Sequence, residues 1–231
     1  MSGSPLSITL LFRLGPIAVT GPVVVTWGLM VLLAGGSFLL TRRMTLHPTA
    51  RQAALELLVE TIEGQIRDTM RVAPGRYLPL IGTLLLFIFF ANWSSLVPGI
   101  EPPTAHIETD AALALIVFAA VIWFGIRARG LSGFAATFAE PTMLMLPLNL
   151  LETFTRTFSM LVRLFGNVMS GVFVIGIVLS LVGLLVPVPL MALDLLTGAV
   201  QAYIFGVLAM VFIGGAVSGE TGPGPQQEAK E

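Results

Sequence analysis

The chain has 231 residues, 55% hydrophobic and 11% charged, against about 25% charged in soluble domains, so it carries too few charges to coat a soluble globule and reads as an integral membrane protein. Its formal net charge of −1 argues against nucleic acid as a partner, and the absence of cysteine excludes disulfides, thiolate metal sites and cysteine nucleophiles. Residues 1–21 are mildly apolar, with Gly15 and Pro16 inside and Gly21–Pro22 at the end, and read as an irregular or interfacial lead-in. Arg13 and Pro16 interrupt the apolar run, so no cleaved signal is expected. Residues 23–41 are uncharged, are long enough to span, and stop at Arg42–Arg43. By the positive-inside rule that stop is cytoplasmic, so the first span runs from outside to inside.

Residues 49–72 have a different pattern. Leu55, Leu58, Val59, Ile62, Ile66 and Met70 recur at three- and four-residue steps, while Glu56, Glu60, Glu63, Arg67 and Asp68 fill the other face. This predicts an amphipathic cytoplasmic helix, either lying on the membrane surface or packed on the protein's own spans. Residues 77–97 form the second span, with Asn92 and Trp93 at its far end. The loop 98–110 is Pro-rich and acidic and carries His106, Glu108 and Asp110. These three are the expected lining of an outer-side entrance, the alternative being a solvated loop. The third span, 111–126, returns to Arg127 and Arg129, and residues 130–142 read as a loop. Two further apolar elements, 143–182 and 190–218, are separated by VGLLVPVP. The expectation is an all-α membrane protein. Five membrane-embedded helices and one cytoplasmic amphipathic helix form a single membrane domain over 1–220, the N-terminus is outside, and a disordered polar tail covers 221–231.

The last two elements are too long. A helix over 147–181 would measure about 52 Å and one over 190–218 about 43 Å, against a hydrocarbon core of roughly 30 Å. Both are therefore expected to tilt strongly and form a hairpin. Within the first lies Arg163, after which no charged residue appears until Asp194. Arginine at the centre of a membrane helix costs roughly 2.5–3.5 kcal/mol on insertion scales, so it is kept where it faces a partner or a watery path. The alternative is an arginine that snorkels to the interface. Arg156, Ser159, Arg163, Asn167 and Ser170 share one helix face, and Asp194, Thr197, Gly198 and Gln201 repeat the spacing on the next helix. Two such stripes make either a water path or a hydrogen-bonded seam. The added charges favour the path, and whether Arg163 and Asp194 meet depends on depths the spacing leaves open.

RLFGN at 163–167, preceded by Ser159 and followed by Gly171, and then QAYIF at 201–205, resemble the a subunit of rotary ATP synthases. PTAHIETDAALA at 103–114 resembles that family's PTADLNTTLALA region, and the first span and the amphipathic helix match too. The resemblance implies that Arg163 faces the carboxylates of a rotating c-ring, holds each one charged as it passes, and separates two half-channels. It implies a path lined by Asn167, Asp194 and Gln201, with His106, Glu108, Asp110, Glu152, Ser170 and Tyr203 as further lining residues. Asp194 sits where many members carry Glu or His, which suits an ion relay. The implied partners are the c-ring, the peripheral-stalk subunit b, other ATP synthase subunits and the lipid of a bacterial inner membrane. The moving ion is H+ or Na+, and no cofactor or resident metal is implied.

Some positions depart from the family pattern. Val172 stands where some members have Glu, His106 and Glu108 where many have Asp and Asn, and Asn149 replaces a frequent Glu that Glu152 follows by nearly a turn. PTAHIETD and the short N-terminus are similar to the N-type ATPases, a bacterial variant associated in many cases with sodium. A stand-alone channel or secondary transporter would share the intramembrane charge, but it would usually show inverted repeats or paired broken helices, and the sequence displays neither. No GxSxG or GxxxxGK[ST] occurs, so neither a serine hydrolase nor a P-loop ATP site is expected in this chain.

Overall fold

The computed structural model describes residues 10–14, 17–42, 50–97, 100–139, 146–182 and 187–217. Two short strands, β1 (Leu10–Leu14) and β2 (Ile17–Thr20), pair antiparallel. Residues 10–14 and 17–20 of the lead-in expected to be irregular are therefore paired strands, and the rest of the described chain is mainly helical. Six helices follow: α1 (Gly21–Thr41), α2 (Ala50–Met70), α3 (Leu78–Trp93), α4 (Ile107–Ala139), α5 (Leu146–Val182) and α6 (Pro187–Val217). Five segments are long and apolar enough to cross a membrane: Gly21–Thr41, Leu78–Leu96, Ile107–Leu131, Pro147–Leu181 and Val188–Val217. The polar tail lies outside the described residues.

Local chemistry sets several boundaries. Pro22, Pro79, Pro187 and Pro189 sit in the first turns of α1, α3 and α6, where a missing N–H costs nothing. Helix α2 ends where Arg71 turns to a φ of 55°. The segment expected to be a loop at 130–142 instead continues α4 through residue 139, after a break at Gly130 with φ 75° and ψ 170°. Glycine accepts that conformation without a Cβ clash, and the Ala- and Phe-containing run behind it resumes the helix.

The core is built on α6. Ile88 and Ala91 of α3, Leu113 and Val117 of α4, and Met160 and Leu164 of α5 pack around Ala202, Phe205 and Ala209. Gly198, Ala202 and Gly206 recur every fourth residue along α6 and let α3 approach closely. A Cβ on Gly198 would lie 3.0 Å from the Asn92 Cβ, and one on Gly206 would lie 3.4 Å from Leu85. The apolar face of α2 packs through Ile62, Ile66 and Met70 against Tyr77, Ile81, Met210 and Ile213. Of the two readings of α2, the packed one is therefore the arrangement found. Helices α5 and α6 have 37 and 31 residues, about 55 and 46 Å long, and fit a 30 Å core only if tilted.

Candidate ion path on the α5–α6 hairpin

Met160, Leu164 and Val168 point from α5 into the core. Ser159, Arg163 and Asn167 each precede one of them, so they lie about 100° around the helix and line its flank. Arg163 is exposed, near the middle of the Pro147–Leu181 span, and has no ion pair or hydrogen bond among the described residues. It lines a cavity of about 570 Å³ with Glu152, Arg156, Ser159, Leu208 and Phe212. This cavity lies in the half of the bundle where α2 packs, since Leu208 and Phe212 flank Met210 on α6. Glu152 and Arg156 form an i,i+4 ion pair, and the Arg156 guanidinium lies 5.6 Å from the centre of the Phe212 ring. The Asn167 amide nitrogen is buried without a partner. The exposed Ser170 hydroxyl donates back to the Asn167 carbonyl at 2.9 Å.

Asp194 is half-buried and lies against Gly171, where a Cβ would collide with the Asp194 carboxyl. Gly171 is eight residues beyond Arg163, about 12 Å along α5, so Asp194 and Arg163 are not an ion pair. Because α6 runs back antiparallel, Gln201, seven residues after Asp194, returns to the level of Leu164. Gln201 is buried, 7% exposed. A second cavity, about 190 Å³, sits at the opposite end of the bundle and includes Ser95, Glu101, Val172 and Asp194 in its lining.

Two side chains of α3 fix α6 at this level. The Asn92 amide donates to the Gly198 carbonyl at 2.8 Å and accepts from the Thr104 hydroxyl at 2.7 Å. The Trp93 indole donates to the Leu195 carbonyl at 3.3 Å. From sequence these two residues mark only the end of a span. An amide near the end of an otherwise apolar run is the available signal for Asn92, but the acceptor it donates to lies 106 residues away on α6.

The three loop residues expected to line one entrance are separated. His106 pairs with Glu101 at 3.4 Å, Glu108 is exposed, and Asp110 is fully buried with neither carboxyl oxygen hydrogen-bonded. None of the three lines the 190 Å³ cavity. Successive turns of α4 rotate its side chains by about 100° per residue, so positions 108 and 110 face away from each other. The sequence reading missed Glu101, which reaches the cavity from the loop. Tyr203 is exposed and its hydroxyl lies 3.2 Å from the Gln65 side-chain oxygen, joining α6 to α2. Among the described residues no cluster of three His, Asp or Glu could hold a metal ion.

Residues 23–214 match the family model described as ATP synthase A chain. The chain is 58% identical over 217 residues to "ATP synthase subunit a 2" of Bradyrhizobium sp. (strain BTAi1 / ATCC BAA-1182), covering 94% of this chain and 97% of that one. It is 44% identical over 218 residues to "ATP synthase subunit a" of Albidiferax ferrireducens, covering 94% of each chain. To "ATP synthase subunit a 1" of Chlorobaculum parvum it is 50% identical over 196 residues, covering 84% of this chain and 87% of the other. The apolar helices, the intramembrane arginine and these near full-length matches agree: the chain belongs to the ATP synthase A chain family, as a membrane subunit of the complex and not a catalytic subunit on its own.

Proposed function

We propose that this chain is the ion-translocating stator subunit of a rotary ATP synthase in a bacterial inner membrane, with its N-terminus outside and its C-terminus in the cytoplasm. The observation that carries the reading is Arg163: a permanent cation at mid-span, on an exposed face of α5, with no partner of its own among the described residues. Such a residue is costly in lipid and makes physical sense when a second protein brings the opposite charge. In this reading the carboxylates of a c-ring pass Arg163 one at a time. A cation within about 4–6 Å favours the charged carboxylate and so promotes release of its ion. Because the guanidinium has no other partner here, each passing carboxylate can be attracted and then released.

The two cavities support two access routes that do not meet. The larger reaches Arg163 from the α2 half of the bundle, and the smaller reaches Asp194 from the loop end, about 12 Å away along α5. Ions would enter by one cavity, ride the ring, and leave by the other, with Asp194 as relay and Asn167 and Gln201 flanking the arginine. The peripheral-stalk subunit b would hold the chain against the turning ring. The ion is H+ or Na+.

The test is ion-driven ATP synthesis in vesicles carrying Arg163→Ala complexes, with ring assembly verified by co-purification. The expected result is assembly without synthesis. Wild-type synthesis by the assembled variant would overturn the reading.

A further inference from the structure

The mouth of the smaller cavity is built from a residue that the two hairpin helices do not supply. Glu101 and Asp194 are the ionisable side chains that line it, the other lining groups being Ser95 and apolar residues such as Val172 and Met191. Asp194 forms the inner end, half-buried and seated on Gly171. Glu101 forms the outer end: its side chain is 56% exposed, and its carboxylate meets His106, itself 19% exposed, at 3.4 Å. The loop that carries Glu101 is held in place. Pro102, Pro103 and Thr104 behind it are buried, and Thr104 is hydrogen-bonded to Asn92, which is in turn bonded to α6. Glu101 is thus a fixed acid at the water-facing end of an otherwise apolar passage that stops at a second acid.

We propose that Glu101, held by His106, is the entrance carboxylate of this passage: it gathers the transported cation from water and hands it to Asp194. The inference rests on the function proposed above. A charged mouth with low-dielectric walls concentrates counter-ions and raises their entry rate 10- to 1,000-fold, an effect that falls with ionic strength. Glu101 therefore acts on ion capture, which limits the rate when the ion is scarce. The α4 carboxylates have no such position, since Glu108 and Asp110 lie outside this cavity.

The experiment uses the whole complex reconstituted with its ATPase head outward, so that the loop end faces the vesicle lumen. Initial rates of ATP synthesis are measured against luminal H+ or Na+, at several concentrations of choline chloride. Glu101→Gln is expected to raise the KM for the luminal ion about tenfold, at the low end of the focusing effect, to leave the rate at saturating ion near wild type, and to abolish the sensitivity to choline chloride. Glu101→Asp should restore most of the capture. Because the chain has no cysteine, Glu101→Cys adds a single thiol to this subunit. An anionic methanethiosulfonate should then recover capture, while a cationic one should depress it further. Wild-type complexes treated in parallel control for thiols elsewhere. A wild-type KM in Glu101→Gln, a lower maximal rate that neither reagent changes, or a raised KM in Glu108→Gln instead would each overturn the proposal. Arg163→Ala in the same vesicles separates the two claims. Synthesis by that variant sinks the functional reading, whereas an inactive Arg163→Ala beside a wild-type Glu101→Gln sinks the entrance acid alone.

Discussion

Asn92 on α3 and Arg163 on α5 are both hydrogen-bonding side chains on apolar membrane helices, and the fold treats them in opposite ways. Asn92 is buried and its amide both donates and accepts, to Gly198 of α6 and from Thr104 of the loop. Arg163 is exposed and has no partner among the described residues. A satisfied amide between two helices is a cross-link, because separating the helices would strand its donor and acceptor where no water can replace the partner. An unsatisfied guanidinium at mid-span adds nothing to the stability of the isolated chain, and its position makes physical sense when a second protein brings the opposite charge. The α3–α6 seam holds the architecture, and Arg163 on the flank of α5 is left unpaired among the described residues.

If that contrast is right, substitutions in the two regions should separate activity from stability. The largest effect is expected on the α5 flank. Arg163→Lys keeps the charge but replaces a planar, weakly hydrated guanidinium by a compact ammonium. ATP synthesis by the assembled complex should fall at least about 100-fold, the scale on which a pre-organised electrostatic group acts, with thermal unfolding unchanged. Near-normal synthesis would mean that charge alone suffices there. Next comes Gly171→Ala, where the regions meet. The added methyl would overlap the Asp194 carboxyl, and overpacking of this kind costs about 1–3 kcal/mol. Both the unfolding midpoint and the synthesis rate should drop. Gly35→Ala, whose Cβ would meet nothing within 4 Å, should change neither.

A purely structural loss is expected for Asn92→Ala. It strands the buried Thr104 hydroxyl and removes the amide link to α6, for a destabilisation of about 1–2 kcal/mol. Measured per assembled complex, ATP synthesis should remain, and an activity loss greater than the stability loss would blur the division between seam and flank. The smallest effect belongs to Tyr203→Phe. Its one hydrogen bond to Gln65 is long and exposed, so the unfolding free energy should shift by less than about 0.5 kcal/mol. A larger change would show that α2 depends on this contact more than on its buried Ile62, Ile66 and Met70.

Much of this architecture is legible in the sequence. The five spans follow from uninterrupted apolar runs of sufficient length, and the stripe of Arg156, Ser159, Arg163, Asn167 and Ser170 follows from helical spacing. The loop expected at 130–142 is helical through residue 139, with 140–142 outside the described residues, because Gly130 only interrupts α4. His106, Glu108 and Asp110 are neighbours in sequence, but none of them lines the 190 Å³ cavity. On a helix those positions diverge, and the carboxylate that reaches the cavity, Glu101, lies in the loop before it.

Sequence by itself determined that the chain lives in lipid, how many times it is able to cross, and that a permanent cation sits at mid-span of an overlong helix. Those are local properties, set by transfer free energy and by a rise of about 1.5 Å per residue. Tertiary structure alone decided depth and facing across helices. It set Asp194 against Gly171 and not against Arg163, Gln201 at the level of Leu164, and Asn92 under Gly198. Relative depth is fixed by packing between segments far apart in the chain, where a Gly–Ala–Gly stripe and two side-chain donors on α3 hold α6 at one height. No periodicity within a single segment records that height.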